Sequence, residues 1–429
     1  MDFAYTEEQL RIKKGIREWA KENLTEEVIA AGYKNRGIAP EVAKAWVDSG
    51  WGMYGLPEEH GGKPVDHQTM AMIIEELNHA GGNIPMAPNL LIMFDVCEFG
   101  TPEQIKFAMD YYKENGYPPY CLAISEPEAG SDNQGMECLA TRTGDGKVHI
   151  NGVKTWVTQG EHVDGFIVVC KDEDPSRENK NMSMYLVPAN APGVTIEPLN
   201  KIGMQIMPFA MIHFDDVVID ETDLLGIQGK GFYQLMKNFE WERCVLLAEL
   251  LGEAQAAMED ACAWTNERMQ FGKPIIEFPA VAEMLSNMKA KLYGSRAMLY
   301  ETTRFVEIYK DYTHLSHDRK LTPEERAEMK TYTRLADAFT PMLKLMSSEY
   351  CNQLAYDAIQ VFGGSGYMKD YPIERIYRDA RITNIYEGTS QLQVVAAIRH
   401  VTTGTYLNQI REYEAQTYAA DLGHVHQKL

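Results

Sequence analysis

Lys147-Val148-His149-Ile150-Asn151-Gly152-Val153-Lys154-Thr155-Trp156 is the stretch that decides the fold. Two β-prone runs flank Asn-Gly, the strongest short-range signal for a hairpin, so the reading predicts a chain reversal at Asn151-Gly152. Strand-like runs continue downstream at Phe166–Cys170, Met184–Val187, Val194–Glu197 and Met211–Ile219, with turn residues between them. Residues 120–226 are therefore expected to form a β domain.

Outward from that domain the hydrophobic period is helical on both sides. Thr6-x-x-Gln9 is a capping-box signature, and Ile12, Ile16 and Trp19 follow at helical spacing. Further helical segments stand at Glu41–Ser49 and His67–His79, punctuated by Pro57, Gly61-Gly62 and Gly81-Gly82. After Gly226-x-x-Gly229-x-Gly231 the helical period returns and holds to residue 402. Thr322-Pro323-Glu324-Glu325 is a helix start, and Pro341 is expected to kink or break the helix that follows. The charged stretch Glu307–Thr331 reads as solvent-facing, and the tail after Thr402 is polar with weak periodicity. The fold class is α+β, with a helical domain over 1–119, the β domain over 120–226, a helical domain over 227–403 and an extension over 404–429.

Composition narrows the function. Acidic residues outnumber basic ones, 62 to 41, for a formal charge of −21. That balance argues against a nucleic-acid backbone or an anionic membrane as partner, and solubility alone is enough to account for it. The seven cysteines are scattered without a C-x-x-C pair, which suggests neither a disulfide framework nor a zinc site. The N-terminal Met1-Asp2-Phe3-Ala4-Tyr5-Thr6-Glu7-Glu8 is acidic and lacks a signal h-region, and no apolar run is long enough to span a bilayer. The expected location is the cytoplasm, or an organelle matrix after removal of a presequence.

Two segments near the start of the β domain have the makings of a ligand site. Ser125-Glu126-Pro127-Glu128-Ala129-Gly130-Ser131-Asp132 offers hydroxyls and exposed backbone N–H groups suited to a polar ring system or phosphates. The plain alternative is a Pro/Gly turn. Lys154-Thr155-Trp156-Val157-Thr158-Gln159-Gly160 sets Trp156 and Thr158 on one strand face, or is a half-buried strand with a core tryptophan. Near the C-terminus stand Gln360-Val361-Phe362-Gly363-Gly364-Ser365-Gly366 and Ile385-Tyr386-Glu387-Gly388-Thr389-Ser390-Gln391. The second puts Glu387 on a short loop between helices, where a carboxylate has the freedom a general base needs; alone it would be an ordinary surface charge.

Taken together, S-E-P-x-A-G-S-D, K-x-W-x-T, R-x-x-F-G, Q-x-x-G-G-x-G and Y-E-G-T occur in an order and spacing that resemble the acyl-CoA dehydrogenase family of flavoproteins, over residues 5–402. The resemblance implies an N-terminal helical domain, a barrel-like middle β domain and a C-terminal four-helix bundle, with FAD between the last two. It implies that Ser125 and Thr158 bond the flavin, that Trp156 packs on its ring, and that Ser131 lies near the pyrophosphate. Arg268 and Phe271, read as sharing one helix face, would reach the FAD of a neighbouring subunit, as would Gln360 and Gly364. Thr389 and Gln391 would touch the adenosine end, and Ser390-x-x-Gln393 would cap the last helix. Glu387 would remove the α-proton of an acyl-CoA thioester, flanked by the substrate-binding Tyr386 and Gly388, with its own backbone N–H helping to hold the enolate oxygen. The β-hydrogen would leave as hydride to flavin, giving a trans-2-enoyl-CoA, with electrons passed to an electron transfer flavoprotein. A homotetramer, a dimer of dimers, is implied.

A second carboxylate competes. In some branches of the family the base stands immediately before the arginine of a Glu-Arg pair, here Glu242-Arg243. The complete Tyr-Glu-Gly-Thr context favours Glu387, leaving Glu242 as an ion-pair partner and Arg243 as the group that orients the loop. If both acids line one pocket, repulsion should raise one pKa. The chain departs from the family at Pro279, where glutamine is common, at Glu128, and at Lys201–Phe209, which lacks a usual arginine and polar stretch. Three rivals share the motifs: an enoyl-CoA reductase running the chemistry backwards, a non-catalytic flavin-binding relative and an oxidase. Asn83-Ile84-Pro85-Met86-Ala87-Pro88-Asn89-Leu90 falls on the expected acyl pocket, where two prolines would distort a helix; a short, branched or cyclic/aryl acyl group is expected.

Overall fold

The computed structural model describes residues 5–173 and 181–419. Residues 1–4, part of the acidic N-terminus read above, and 420–429, the end of the polar tail, lie outside the described residues.

The N-terminal helices are α1 (Glu7–Asn23), α2 (Glu26–Asn35), α3 (Pro40–Asp48), α4 (His67–Asn78), α5 (Met86–Phe99) and α6 (Pro102–Asn115). The capping box of α1 forms as expected: Gln9 N donates to Thr6 Oγ1 and Thr6 N to Gln9 Oε1, at 3.1 and 2.9 Å. Ile12, Ile16 and Trp19 are buried beneath it. The two prolines of α5 do not distort a helix but begin one. Pro85 is its N-cap and Pro88 its third residue, positions whose N–H groups have no intrahelical partner to lose.

The middle domain holds β1 (Tyr120–Ala123), β2 (Leu139–Arg142), β3 (Lys147–Thr158), β4 (Gly165–Asp172), β5 (Met182–Pro188), β6 (Val194–Leu199), β7 (Phe209–Asp220) and β8 (Leu224–Leu225). They form one sheet in the order β6-β7-β3-β2-β4-β5-β8, with β1 added parallel to β4. Its inner side chains make a core of their own, including Val148, Ile150, Phe166, Tyr185, Ile212 and Val217.

The hairpin expected at Asn151-Gly152 is absent, because β3 runs straight through both residues. The reversal comes earlier, at Gly144 and Gly146, whose φ angles of 81° and 86° supply the turn that joins β2 to β3. Gly152 serves instead a close approach, since a Cβ there would lie 2.6 Å from Cys138 Cα. Asn151 Oδ1 accepts from Asp216 N at 2.8 Å, across a register shift between β3 and β7. A second shift, between Lys154 and Val157, puts Trp156 in the left-handed region (φ 57°) and turns its ring out of the sheet.

The C-terminal region contains α7 (Gly231–Glu267), the short strands β9 (Met269–Gln270) and β10 (Lys273–Pro274), α8 (Pro279–Asp318), α9 (Pro323–Phe362), α10 (Ile373–Ala380), α11 (Ser390–Thr402) and α12 (Thr405–Ala419). Helices α7, α8, α9 and α11 pack as a bundle. The capping box at Thr322 and Glu325 opens α9. Pro341 does not break that helix. It is buried within it, and tertiary packing outweighs the local cost of about 3 kcal/mol. The charged stretch from Glu307 is not solvent-facing throughout: α8 runs to Asp318, and Tyr309 and Lys310 are buried. No described helix is long and apolar enough to cross a membrane.

One buried ion pair ties the middle domain together. Lys154 Nζ on β3 donates to Glu126 Oε1 at 2.7 Å and to Ile124 O at 2.9 Å. Glu126 also accepts from the backbone N–H groups of Glu137 and Cys138. Replacing Lys154 with Met strands a buried carboxylate, so K154M should lose about 3 kcal/mol in urea unfolding, near the low end for such pairs because two backbone donors remain.

Candidate active site

The loop from Tyr386 to Thr389 joins the end of α10 and its following turn to α11. Glu387 and Gly388 both have positive φ, 53° and 88°, which turns the chain sharply into the helix. Glycine is required at the second position, as a Cβ would meet Gln393 Nε2 at 2.5 Å. That amide donates to the carbonyls of Glu387 (3.1 Å) and Gly388 (3.0 Å), and Arg243 Nε on α7 donates to the Glu387 carbonyl at 3.3 Å. These three bonds hold a non-glycine residue in a conformation that costs about 1–2 kcal/mol on its own. The cap of α11 differs from expectation. Thr389, not Ser390, is the N-cap and accepts from Leu392 N, while Ser390 Oγ turns to Glu349 at 2.8 Å.

The Glu387 side chain points inward. The residue as a whole is half-buried, but its Oε2 is sealed and has no hydrogen-bond partner. Burial raises its pKa, while Arg243 and Lys344 (α9) pull it back. Lys344 in turn is held down to about 8 by burial. The carboxyl thus keeps a free lone pair, at a site where desolvation makes its ionised form more basic.

Glu242 lies near enough for the charge of Glu387 to act on it. Its pKa is raised well above the carboxylate range by burial, then by Asp95 and Glu387. The expected ion pair is not what the structure shows: among the described residues no cation bridges Glu242, and its neighbour is Asp95 of α5, whose carboxyl is itself pushed up to about 6 by burial. Asn238 Nδ2 donates to Asp95 Oδ1 at 2.7 Å, and Lys310 Nζ donates to Asn238 Oδ1 at 3.2 Å.

Beyond Tyr386 the interior stays acidic. Glu249 is buried with an unpartnered Oε1, and Glu253 accepts from Asn83 Nδ2 at 2.6 Å. Burial and the charges of Glu249, Glu387 and Glu253 push the Tyr386 phenol well up. Sequence reasoning missed Asp95, Asn238, Lys310, Lys344 and Glu249. A signal existed for some of them: Asp95 interrupts the apolar run Leu90-Leu91-Ile92-Met93-Phe94, and Glu249 interrupts Val245–Leu251.

The Ser125–Asp132 segment lies beside β3. The Ser125 carbonyl accepts from Thr155 N at 2.8 Å, joining the Ser125–Asp132 segment to β3. Trp156 is 54% exposed, and its ring lies beside Gly130. Thr158 is half-buried at the strand end and Ser131 is exposed.

A second group lies at the C-terminal ends of α7 and α9. Arg268, Gln270, Ile275, Phe362, Gly363 and Gly364 line a groove of about 450 Å³, and Gln360 is exposed one residue before its rim at Val361. Arg268 and Phe271 do not share a helix face. Arg268 is the C-cap of α7, and Phe271 is the tip of the β9–β10 hairpin, because the chain leaves the helix at Arg268 and reverses at Phe271-Gly272. Phe271 is 93% exposed. Gln391 is exposed and Thr389 half-buried at the start of α11.

Comparison with known proteins gives the same picture along the whole chain. The N-terminal, middle and C-terminal domains of acyl-CoA dehydrogenase match residues 6–109, 121–217 and 229–402. The probable acyl-CoA dehydrogenase YdiO of Escherichia coli K12 is 32% identical over 401 residues, covering 94% of this chain and 98% of that protein. The caffeyl-CoA reductase-Etf complex subunit CarC of Acetobacterium woodii is 30% identical over 395 residues, covering 91% and 97%. The structure of butyryl-CoA dehydrogenase from Megasphaera elsdenii superposes with a TM-score of 0.80 at 25% identity, covering 94% of this chain and all of that one. With three successive domains matched in order along residues 6–402, the chain belongs to the acyl-CoA dehydrogenase family of oxidoreductases.

Proposed function

We propose that this protein carries out the FAD-dependent α,β-dehydrogenation of an acyl-CoA thioester to a trans-2-enoyl-CoA, with Glu387 as the base. The observation that carries the reading is the sealed, partnerless Oε2 of Glu387, held inward by a loop whose own backbone is pinned by Arg243 and Gln393.

The residues present fit FAD. Trp156 and Phe271 are large aromatics left exposed in the single chain, and Arg268 and Gly364 line one groove where a Cβ at either Gly363 or Gly364 would meet nothing. Ser125, Trp156 and Thr158 would hold the ring and Ser131 the pyrophosphate. Arg268, Phe271, Gln360 and Gly364 would serve the cofactor of a neighbouring subunit, with Thr389 and Gln391 at the adenosine end. FAD, when bound, supplies the hydride acceptor.

The chain's own part is proton chemistry and positioning. Glu387 takes the α-proton, and its buried setting keeps water from competing for the carboxylate. Arg243 fixes the loop through the Glu387 carbonyl and, with Lys344, keeps enough positive charge nearby for the acid to ionise. Tyr386 and Gly388 flank the substrate. An exposed apolar row on α11 (Leu392, Val394, Val395, Ile398, Val401) supports a homotetramer. CarC, a subunit of a caffeyl-CoA reductase-Etf complex, supports an electron transfer flavoprotein as partner and makes the reverse reaction, enoyl-CoA reduction, the second reading. It also supports the expectation of a short, branched or cyclic/aryl acyl group.

Anaerobic titration with panels of acyl- and enoyl-CoA, read as flavin bleaching or recovery, tests substrate and direction together. Preferred turnover of long straight chains would remove the acyl assignment. Glu387→Gln should slow flavin reduction about 10²–10⁴-fold, the usual worth of a general base. Glu242→Gln should stay within about tenfold of wild type, since glutamine keeps a donor for Asp95; the opposite order of effects would transfer the base role to Glu242.

The pH profile carries a sign. Glu387 works as a base only when ionised, so the rate should rise with pH through a pKa above the ordinary carboxylate value. Lys344→Met removes a cation that favours the ionised form, so the rising limb should move to higher pH in stopped-flow flavin reduction. A limb that stays in place would remove Lys344 from the site.

A further inference from the structure

Asn238 and Glu242 stand one turn apart on the same face of α7, and Asn238 bonds Asp95, so the Asp95 and Glu242 carboxyls lie side by side in the core. Two buried carboxyls this near cannot both ionise cheaply, so one keeps its proton. Asn238 fixes which. Its Oδ1 accepts from Lys310 Nζ, so its amide N–H groups must face Asp95, to which Nδ2 donates at 2.7 Å. Asp95 thereby receives a donor from a second direction, which favours its ionised form. Among the described residues nothing donates to Glu242 Oε1, which is buried and unpartnered. The proton therefore belongs on Glu242.

We propose that Asp95 is a positioning residue that keeps Glu242 protonated and so leaves Glu387 as the single base of the site. The proposal rests on the reading of Glu387 as base given above. A protonated acid cannot accept the α-proton, and a neutral Glu242 adds no negative charge against which Glu387 must ionise.

The surrounding charges agree. Asp95 and Glu387 both disfavour ionisation of Glu242, and Lys310 from α8 opposes them. Lys310 is itself shared with Glu98, one turn along α5, whose carboxyl His314 holds down to about 2. Glu240 of α7 also acts on Lys310. Arg243 and Lys344 act on Glu387. The cations on α7 and α9 thus serve the base, and the negative charge of Asp95 serves its neighbour.

The test uses full-length holoenzyme and an acyl-CoA that bleaches the wild-type flavin. Glu387→Gln alone should be slow. Adding Asp95→Asn removes the charge that holds the proton on Glu242, so E387Q/D95N should recover at least about tenfold over E387Q at neutral pH, with the ratio shrinking at alkaline pH as Glu242 ionises in both, since each unit of pKa changes the ionised fraction tenfold. Asp95→Glu in the same background keeps the charge and should give no recovery, and adding Glu242→Gln should abolish it. Infrared spectroscopy of the protein without substrate gives a readout independent of turnover and of the folding of any Asp95 variant. The wild-type carboxylic acid band at neutral pH should lose one component in E242Q. An unchanged band, or no recovery in a folded E387Q/D95N, would overturn this proposal alone. An E387Q enzyme as fast as wild type would overturn the base assignment and this proposal with it.

Discussion

A single constraint governs the site: α7 runs through the interior, and it carries acids there. Glu242, Glu249 and Glu253 are all buried on it. Each would cost several kcal/mol to keep ionised and unaccompanied. The neighbouring elements are arranged around that cost. The charge of Asp95 disfavours ionisation of Glu242, Asn83 donates to Glu253, and burial alone pushes Glu249 well above its ordinary range. Arg243, on the same helix, avoids a side-chain pairing and grips the Glu387 backbone instead. Because the cation is spent on the main chain, the Glu387 carboxyl keeps a free oxygen.

The middle domain solves a similar problem by the opposite means. Glu126 is buried but fully engaged, by Lys154 and two backbone N–H groups. The ion pair fastens the Ser125–Asp132 segment from beneath, while the bulge in β3 turns Trp156 outward beside it. Glu126 is a saturated carboxylate and a structural fixture, whereas Glu242, Glu249, Glu253 and Glu387 each keep an unpartnered oxygen. The difference lies in the donors around them.

The helical, sheet and helical order was legible because hydrophobic period changes sharply near residues 120 and 227. Strand positions were legible too, but not the turn: Asn151-Gly152 has the chemistry of a hairpin, yet Gly144-Asp145-Gly146 had already reversed the chain, so the later pair became a strand bulge with a close backbone contact. Arg268 and Phe271 were misread because spacing alone does not reveal where a helix ends. On the loop, Glu387 could be found from local sequence. Asp95, Lys310 and Lys344 could not be joined to it, since they arrive from three other helices and only packing brings them near.

The same physics explains why these residues leave the direction of reaction open. A base whose pKa is raised by burial is a stronger acceptor when ionised and, once protonated, a ready donor to the same carbon. Arg243, Lys344 and the desolvated pocket act on the equilibrium between those two forms, not on one of them. On the proposed reading of Glu387 as base, one constellation would serve proton transfer both into and out of the α-carbon. Direction must then be set by a term these residues do not contain, namely the potential at which electrons are delivered or withdrawn. On that reading the choice would lie with an electron-exchanging partner, in keeping with relatives that include both a butyryl-CoA dehydrogenase and a subunit of a caffeyl-CoA reductase-Etf complex.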